Sequence, residues 1–325
     1  MICDEFITAI GYECLNSCIY NYLYNCSCNL DKSDIFFIGR GGKVYYESIG
    51  YQIYTNIYES NFNFLKKAGI HFTYKKFTDK NEAEHFLLNN IDTNLLISIR
   101  VNTRYLTYHT AFQNVIPSPH FINSLAVDIT SRKIYISDGC VPTLETSIYQ
   151  GWTDLDDILN AWSVYNYSCI VLNLDSIVTF RKGESAIKFL AKEEFTRFIK
   201  KYLKYNLEVN SWSYAIYRLF DDLKFCLDKF NKNELYEFTT NIVYQLKFCG
   251  FLTTKKYILE FIKNNEFYNL FYNEYDNNVA KWSHIDKHIL KVGITGEHEY
   301  LDALLEKISS ICNEESNILS KLMAL

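Results

Sequence analysis

Cys14 lies in the run Gly11-Tyr12-Glu13-Cys14-Leu15-Asn16-Ser17-Cys18-Ile19-Tyr20-Asn21-Tyr22-Leu23. Leu15, Cys18, Ile19 and Tyr22 recur at i, i+3, i+4 and i+7, the apolar seam of an amphipathic helix. Gly11 is a loop residue just ahead of it, so Cys14 falls at or beside the first helical position. Unpaired backbone N–H groups and the positive end of the helix dipole gather there. Both favour a thiolate, the form in which cysteine is a nucleophile. Cys18 lies in the seam and reads as packing. Two things oppose a reactive Cys14: cysteine buries readily as a small apolar residue, and an adjacent Glu13 carboxylate disfavours the thiolate unless it points away.

A thiol nucleophile needs a base, and the base needs a group to orient it. Of seven histidines, His120 is best placed: it follows Pro117-Ser118-Pro119 and opens the β-type run from Phe121. Asp138 ends the run Ile134-Tyr135-Ile136-Ser137. A hairpin turning at Thr130-Ser131-Arg132-Lys133 brings 120 and 138 to the same end, where a carboxylate can hold the imidazole tautomer. Taken singly, His120 reads as an exposed residue ahead of a strand and Asp138-Gly139 as a turn. Only together with Cys14 do they form a catalytic set of Cys14, His120 and Asp138.

The elements that must position this set read as α+β. Short β-type runs cover Leu95–Ile99, Phe121–Ile129, Ile134–Ile136 and Cys169–Leu172. Alternation in the second puts Phe121, Asn123, Leu125, Val127 and Ile129 on one face. After about residue 182 the period becomes helical: Ile216, Leu219, Phe220, Leu223, Leu227 and Phe230, then Leu235, Phe238, Ile242, Leu246 and Cys249 stopped by Gly250, then Leu301, Leu304, Leu305, Ile308 and Ile311. We expect a catalytic domain over 1–180 and a helical domain over 181–325.

Composition narrows the class. At 325 residues, 48% hydrophobic and 22% charged, the chain buries a core and is not disordered. A net charge of −5 excludes the dominant basic surface of a general nucleic-acid binder. No apolar run approaches the roughly 20 residues of a membrane span. Asp4 and Glu5 stand where a signal peptide is basic, which predicts a cytoplasmic protein. Ten scattered cysteines then read as reduced thiols. Cys26-Ser27-Cys28 lacks zinc-knuckle spacing, and His284 and His288 lack a third ligand, so no metal is expected.

Four segments carry a family resemblance. They are Glu13-Cys14-Leu15-Asn16-Ser17 at the helix start; Ile38-Gly39-Arg40-Gly41-Gly42-Lys43-Val44-Tyr45-Tyr46; Val101-Asn102-Thr103-Arg104-Tyr105-Leu106-Thr107-Tyr108-His109; and His120-Phe121-Ile122 with Ile136-Ser137-Asp138. In their order and spacing they resemble the papain-like cysteine peptidase superfamily. The closer likeness, over about residues 10–165, is to the butirosin-biosynthesis acyltransferase group. That group includes the amide-forming cysteine-peptidase homologue of polythioamide non-ribosomal peptide assembly. The third segment departs from the family stretch at Asn102, where the family has Asp, and at Thr107, where it has Pro.

The resemblance implies a papain-like N-terminal unit. It also implies transfer of an acyl group from the phosphopantetheine thioester of a carrier protein, through a Cys14 acyl-enzyme, to a small-molecule amine. His120 would be the base and Asp138 its orienter. The phosphopantetheine belongs to the partner, and no cofactor of the enzyme's own is implied. The Cys14 N–H is one oxyanion donor, and no glutamine stands in Ile7-Thr8-Ala9-Ile10 to supply a second. Gly41 and Gly42 let backbone approach the acyl chain or simply make a turn. Tyr105 and His109 line the pocket or form a polar core cluster.

Arg197, Lys200, Lys201 and Lys204 fall at i, i+3, i+4 and i+7, a basic stripe suited to an acidic carrier protein or an ordinary solvated face. Two further functions share the fold: a cysteine hydrolase acting on an amide or thioester, and a binding protein without catalysis. Products separate the first, and the relative reactivity of the Cys14 thiol separates the second.

Overall fold

The computed structural model describes residues 5–47, 51–91, 93–114, 116–143, 147–204, 212–248 and 250–325; Cys249 lies outside them. In chain order the elements are α1 (Cys14–Asn25), α2 (Lys32–Ile38), β1 (Val44–Glu47), β2 (Gln52–Thr55), α3 (Ile57–Lys67), β3 (Phe72–Lys75), α4 (Lys80–Asn90) and β4 (Leu95–Asn102). There follow β5 (Pro119–Asp128), β6 (Lys133–Val141), β7 (Ser147–Asp154), α5 (Leu155–Ser163), β8 (Cys169–Asn173) and α6 (Leu174–Arg181). The remainder is helical: α7 (Glu184–Lys204), α8 (Trp212–Lys229), α9 (Lys232–Phe248), α10 (Phe251–Asn264), α11 (Tyr272–Ser283), α12 (Ile285–Thr295) and α13 (His298–Met323). This is the expected α+β order. The chain forms two compact units, one of Met1–Ile35 with Asn61–Leu190, the other of Phe36–Ser60 with Ala191–Leu325.

The first unit is built on a six-stranded sheet of order β3-β8-β4-β5-β6-β7, antiparallel throughout. β4 and β8 are runs rich in β-branched residues and are mostly buried. Ile97, Ile99 and Val101 of β4, Ile122 of β5, and Ile134 and Ile136 of β6 form one core with Leu159 and Trp162 of α5. Ser98 pairs with Asn123 across β4 and β5, and neighbours along a strand face opposite ways. These two therefore lie on the other face, where the Asn123 Nδ2 donates to the Cys18 carbonyl of α1 at 3.1 Å. The Tyr22 hydroxyl of the same helix donates to the Ile97 carbonyl at 2.7 Å. The sheet is thus clad by α5 on one face and by α1, the cysteine-led helix, on the other.

The alternation read for β5 does not hold along its length. A bulge between Ser124 and Ala126 shifts the register against β6. The extra residue inverts which side chains face the core, so Ile122 and Val127 share it and Phe121 lies on the face of Asn123.

The second unit joins the β1–β2 hairpin to helices. Gln245 of α9 fixes the hairpin by its side chain: Oε1 accepts the Ile53 N–H at 2.7 Å and Nε2 donates to the Tyr51 carbonyl at 2.9 Å. Val44 and Ile53 then enter the core with Ile216, Leu219, Leu223, Leu235, Ile242, Leu246, Leu301, Leu304 and Ile308, the residues whose helical spacing is visible in the sequence. A buried ion pair lies among the helices. Lys255 Nζ donates to Glu315 at 2.6 and 2.7 Å and to the Tyr202 hydroxyl at 2.8 Å, while the Tyr275 hydroxyl donates to Glu315 at 2.8 Å.

Candidate active site

Cys14 is the first residue of α1, and Glu13 is its N-cap, in extended backbone with φ −150° and ψ 140°. The Glu13 carboxylate accepts the Leu15 N–H on Oε1 at 2.9 Å and the Asn16 N–H on Oε2 at 2.7 Å. Two of the donors orphaned by the helix start are thereby satisfied. Oε2 also accepts from Asn61 Nδ2 at 3.0 Å, and the Cys14 thiol lies 3.4 Å from Oε1 as a donor. Burial raises the Glu13 pKa above its ordinary value, against the pull of these donors.

His120 and Asp138 meet. Their strands pair from Asn123–Ser137 onward, and past that point His120 Nε2 lies 2.9 Å from Asp138 Oδ2, with the residues 6% and 0% exposed. The carboxylate can only accept, so Nε2 carries the hydrogen in this pair. Asp138 has two further donors: the Tyr108 hydroxyl on Oδ2 at 2.7 Å and the Cys140 N–H on Oδ1 at 2.8 Å. The Phe112 ring stands edge-on to the imidazole at 5.4 Å. Tyr108 packs on Tyr149, ring centres 4.6 Å apart.

Cys14 joins this pair through the backbone. Its sulfur accepts the N–H of Phe121, the residue next to His120. The thiol is buried, 7% exposed, and its pKa is pushed well above the ordinary value. Burial is the main cause, followed by the Glu13 carboxylate and the neighbouring thiols of Cys140 and Cys18. The site holds its nucleophile candidate as a thiol at rest, with the imidazole–carboxylate pair at the adjoining residue.

The other residues singled out from the sequence are dispersed. Gly41 and Gly42 belong to the second unit, where a Cβ on Gly41 would come within 2.3 Å of the Phe36 ring and one on Gly42, at φ +85°, within 2.5 Å of Phe198. Tyr105 is exposed in a single turn over Thr103–Tyr105 capped by Asn102, whose Oδ1 accepts the Arg104 N–H at 2.9 Å. His109 Nδ1 accepts the Ala111 N–H at 3.1 Å, and Thr107 donates to Asp157 at 2.7 Å.

On α7, Lys200 and Lys201 are exposed. Arg197 is bound at 2.7 Å to Glu194, a buried carboxylate also held by Arg40 at 3.1 Å. The Lys204 side chain lies outside those described. Lys307 Nζ lies 2.6 Å from His288 Nε2. Among the described residues no group of three or more His, Cys, Asp or Glu side chains is placed to hold a metal, and no helix is long and apolar enough to cross a membrane.

Two contributors are not singled out by sequence reasoning. Tyr108 stands between the two residues chosen from its segment, and nothing in the Tyr-Leu-Thr-Tyr-His run sets it apart from Tyr105. Glu13 reads as an opponent of the thiolate, and its capping role shows only once its backbone is seen to be extended.

A cysteine-led helix on an antiparallel sheet, its sulfur at the backbone N–H of the residue that follows the imidazole of a buried imidazole–carboxylate pair, is an arrangement that covalent acyl chemistry can use. Residues 13–139 match the family model described as Butirosin biosynthesis protein H, N-terminal, a span that runs from the helix cap to the residue after Asp138. The match covers 127 of the 325 residues and likens this segment to that family. No curated protein matches the chain.

Proposed function

We propose that the chain is a thiol-dependent acyltransferase that forms an amide from a carrier-protein thioester and an amine. The observation that carries this is the buried His120–Asp138 pair at 2.9 Å, beside the Phe121 N–H that the Cys14 sulfur accepts. His120 uses Nε2 on Asp138, so Nδ1 is the nitrogen assigned to the thiol proton. As Nδ1 takes that proton, the Cys14 sulfur attacks the thioester carbonyl. The C–S bond to phosphopantetheine then breaks, and the leaving thiolate takes the proton from His120. An incoming amine attacks the acyl-enzyme and loses a proton to His120, which returns it to the Cys14 sulfur as the amide leaves. Asp138 orients the ring and offsets its charge.

The Leu15 and Asn16 N–H groups are taken by Glu13, so the Cys14 N–H is the helix-start donor assigned to the oxyanion. The exposed Lys200 and Lys201 of α7, with Arg197, are assigned to an acidic carrier.

Product analysis tests this reading. The chain is incubated with acyl-loaded carrier protein and a panel of amines. Amide that requires both substrates supports transfer, whereas free acid at the same rate with or without amine makes the protein a hydrolase. A binding protein without catalysis draws support from two observations, the burial of Cys14 and its Glu13 contact, both of which favour the thiol. It gives neither product.

A further inference from the structure

Glu13 does more at the head of α1 than an N-cap requires. Each carboxylate oxygen takes one backbone N–H of the first turn. Oε2 takes a third donor, Asn61 Nδ2 from α3 at 3.0 Å, and Oε1 faces the Cys14 sulfur at 3.4 Å. Three N–H donors favour the charged carboxylate, set against burial, which raises its pKa above the ordinary value. A thiolate at Cys14 would set a second negative charge against it where water does not screen the pair.

We propose that Glu13 holds the resting nucleophile protonated, so that Cys14 becomes charged only as His120 takes its proton with an acyl donor bound. This rests on the reading of Cys14 as the nucleophile. The site then differs from one that keeps a standing thiolate–imidazolium pair. Its cysteine is inert toward alkylating agents and oxidants at neutral pH, yet competent when a thioester arrives.

The charged and titratable groups toward the head of α1 are Lys32 of α2, whose Nζ donates to the Ile10 carbonyl at 3.0 Å and lies over the Tyr12 ring, Arg100 of β4, His120 of β5, and Asp138 and Cys140 of β6. Cys18 lies one turn along the helix. Arg100 stacks its guanidinium on Tyr165 at 4.5 Å, and Asp138 is engaged by His120, Tyr108 and the Cys140 N–H. The Phe121 N–H is the donor that favours the thiolate. It is a neutral dipole set against a full charge. Burial and Glu13, in that order, raise the Cys14 pKa.

The test is the rate of Cys14 carbamidomethylation by iodoacetamide between pH 6 and 10, read by peptide mass in the full chain. Cys140 serves as the internal reference, and the thermal melt of each variant is recorded. The wild-type rate at Cys14 is expected to keep rising beyond pH 9, and Glu13→Gln to move the profile down by at least one unit, about tenfold faster at pH 7. An unchanged or slower Glu13→Gln would overturn the proposal. So would a wild-type rate already at its plateau by pH 7, a result that needs no variant to fold. Acylation by thioesters is scored separately. A shifted alkylation profile with no acyl adduct counts against the acyltransferase reading alone, and the proposed role of Glu13 in setting the thiol's charge stands.

Discussion

Replacing Tyr108 by phenylalanine deletes one of the three hydrogen bonds on Asp138 and leaves the ring packing on Phe112 and Tyr149 in place. A bond to a charged group contributes about 1.5–3 kcal/mol, and Tyr108→Phe is expected to lower stability by that amount in urea titrations. With one donor fewer on Asp138 Oδ2, the carboxylate holds the imidazole less firmly, and acylation is expected to slow. An unchanged acylation rate would mean that Tyr108 only fills space. At this scale the sequence brings forward Cys14, His120 and Asp138 through local context: a helix start, a strand entrance and a strand end. Tyr108 escapes that reading because its function lies across the sheet, and nothing in a local window distinguishes it from Tyr105.

The strand that ends the site is held by close packing at Gly139. A Cβ there would come within 2.2 Å of Ser17 Oγ and 2.4 Å of the Ala9 carbonyl, and the Gly139 carbonyl accepts the Gly11 N–H at 2.7 Å. Backbone, not only a flexible side chain, would have to move. Gly139→Ala is expected to cost about 1–3 kcal/mol, the usual range for overpacking, and to slow acylation by displacing Asp138. A melt and an acylation rate equal to wild type would contradict that placement.

The elements themselves were partly legible. Helical spacing after residue 182 gives the buried faces of α8, α9 and α13. The first half of the sequence shows four of the eight strands found among the described residues, because the others are short or carry polar edges. The bulge in β5 is invisible to alternation, which assumes an unbroken period. Gly41 and Gly42 read as a pocket loop or a plain turn, and the tight fit of Gly42 against Phe198 depends on a contact distant in sequence.

Across the whole molecule the aromatic and cysteine content has a consequence for alkaline stability. Cys14, Cys18 and Tyr22 in the first unit and Tyr275 in the second are buried, and Tyr108 and Tyr202 are half-buried; all six have pKa values raised well above the ordinary 9.0 and 10.0, loss of solvent being the first cause in each. Around Glu315 the two tyrosine hydroxyls are donors that the carboxylate requires. Above those ordinary values the unfolded chain releases the protons and the folded chain keeps them, so stability falls with pH. The slope is at most about 1.4 kcal/mol per pH unit for each such group. Urea midpoints are expected to hold between pH 7 and 8.5 and to drop steadily above pH 9; a midpoint constant to pH 11 would contradict the burial of these groups. Composition alone placed the chain among proteins with a large core. It does not reveal that residues 36–60 fold with the helices, since Gln245 reaches them from nearly two hundred residues away.

The most direct test of Cys14 as the nucleophile is intact-protein mass after exposure to acyl-pantetheine thioesters, for wild type, Cys14→Ala and His120→Ala. Wild type should gain one acyl group and Cys14→Ala none. His120→Ala should gain it at least about a hundredfold more slowly, the usual loss of a general base. The same acyl gain on Cys14→Ala, or none on wild type across a broad set of thioesters, would contradict covalent catalysis at the head of this helix.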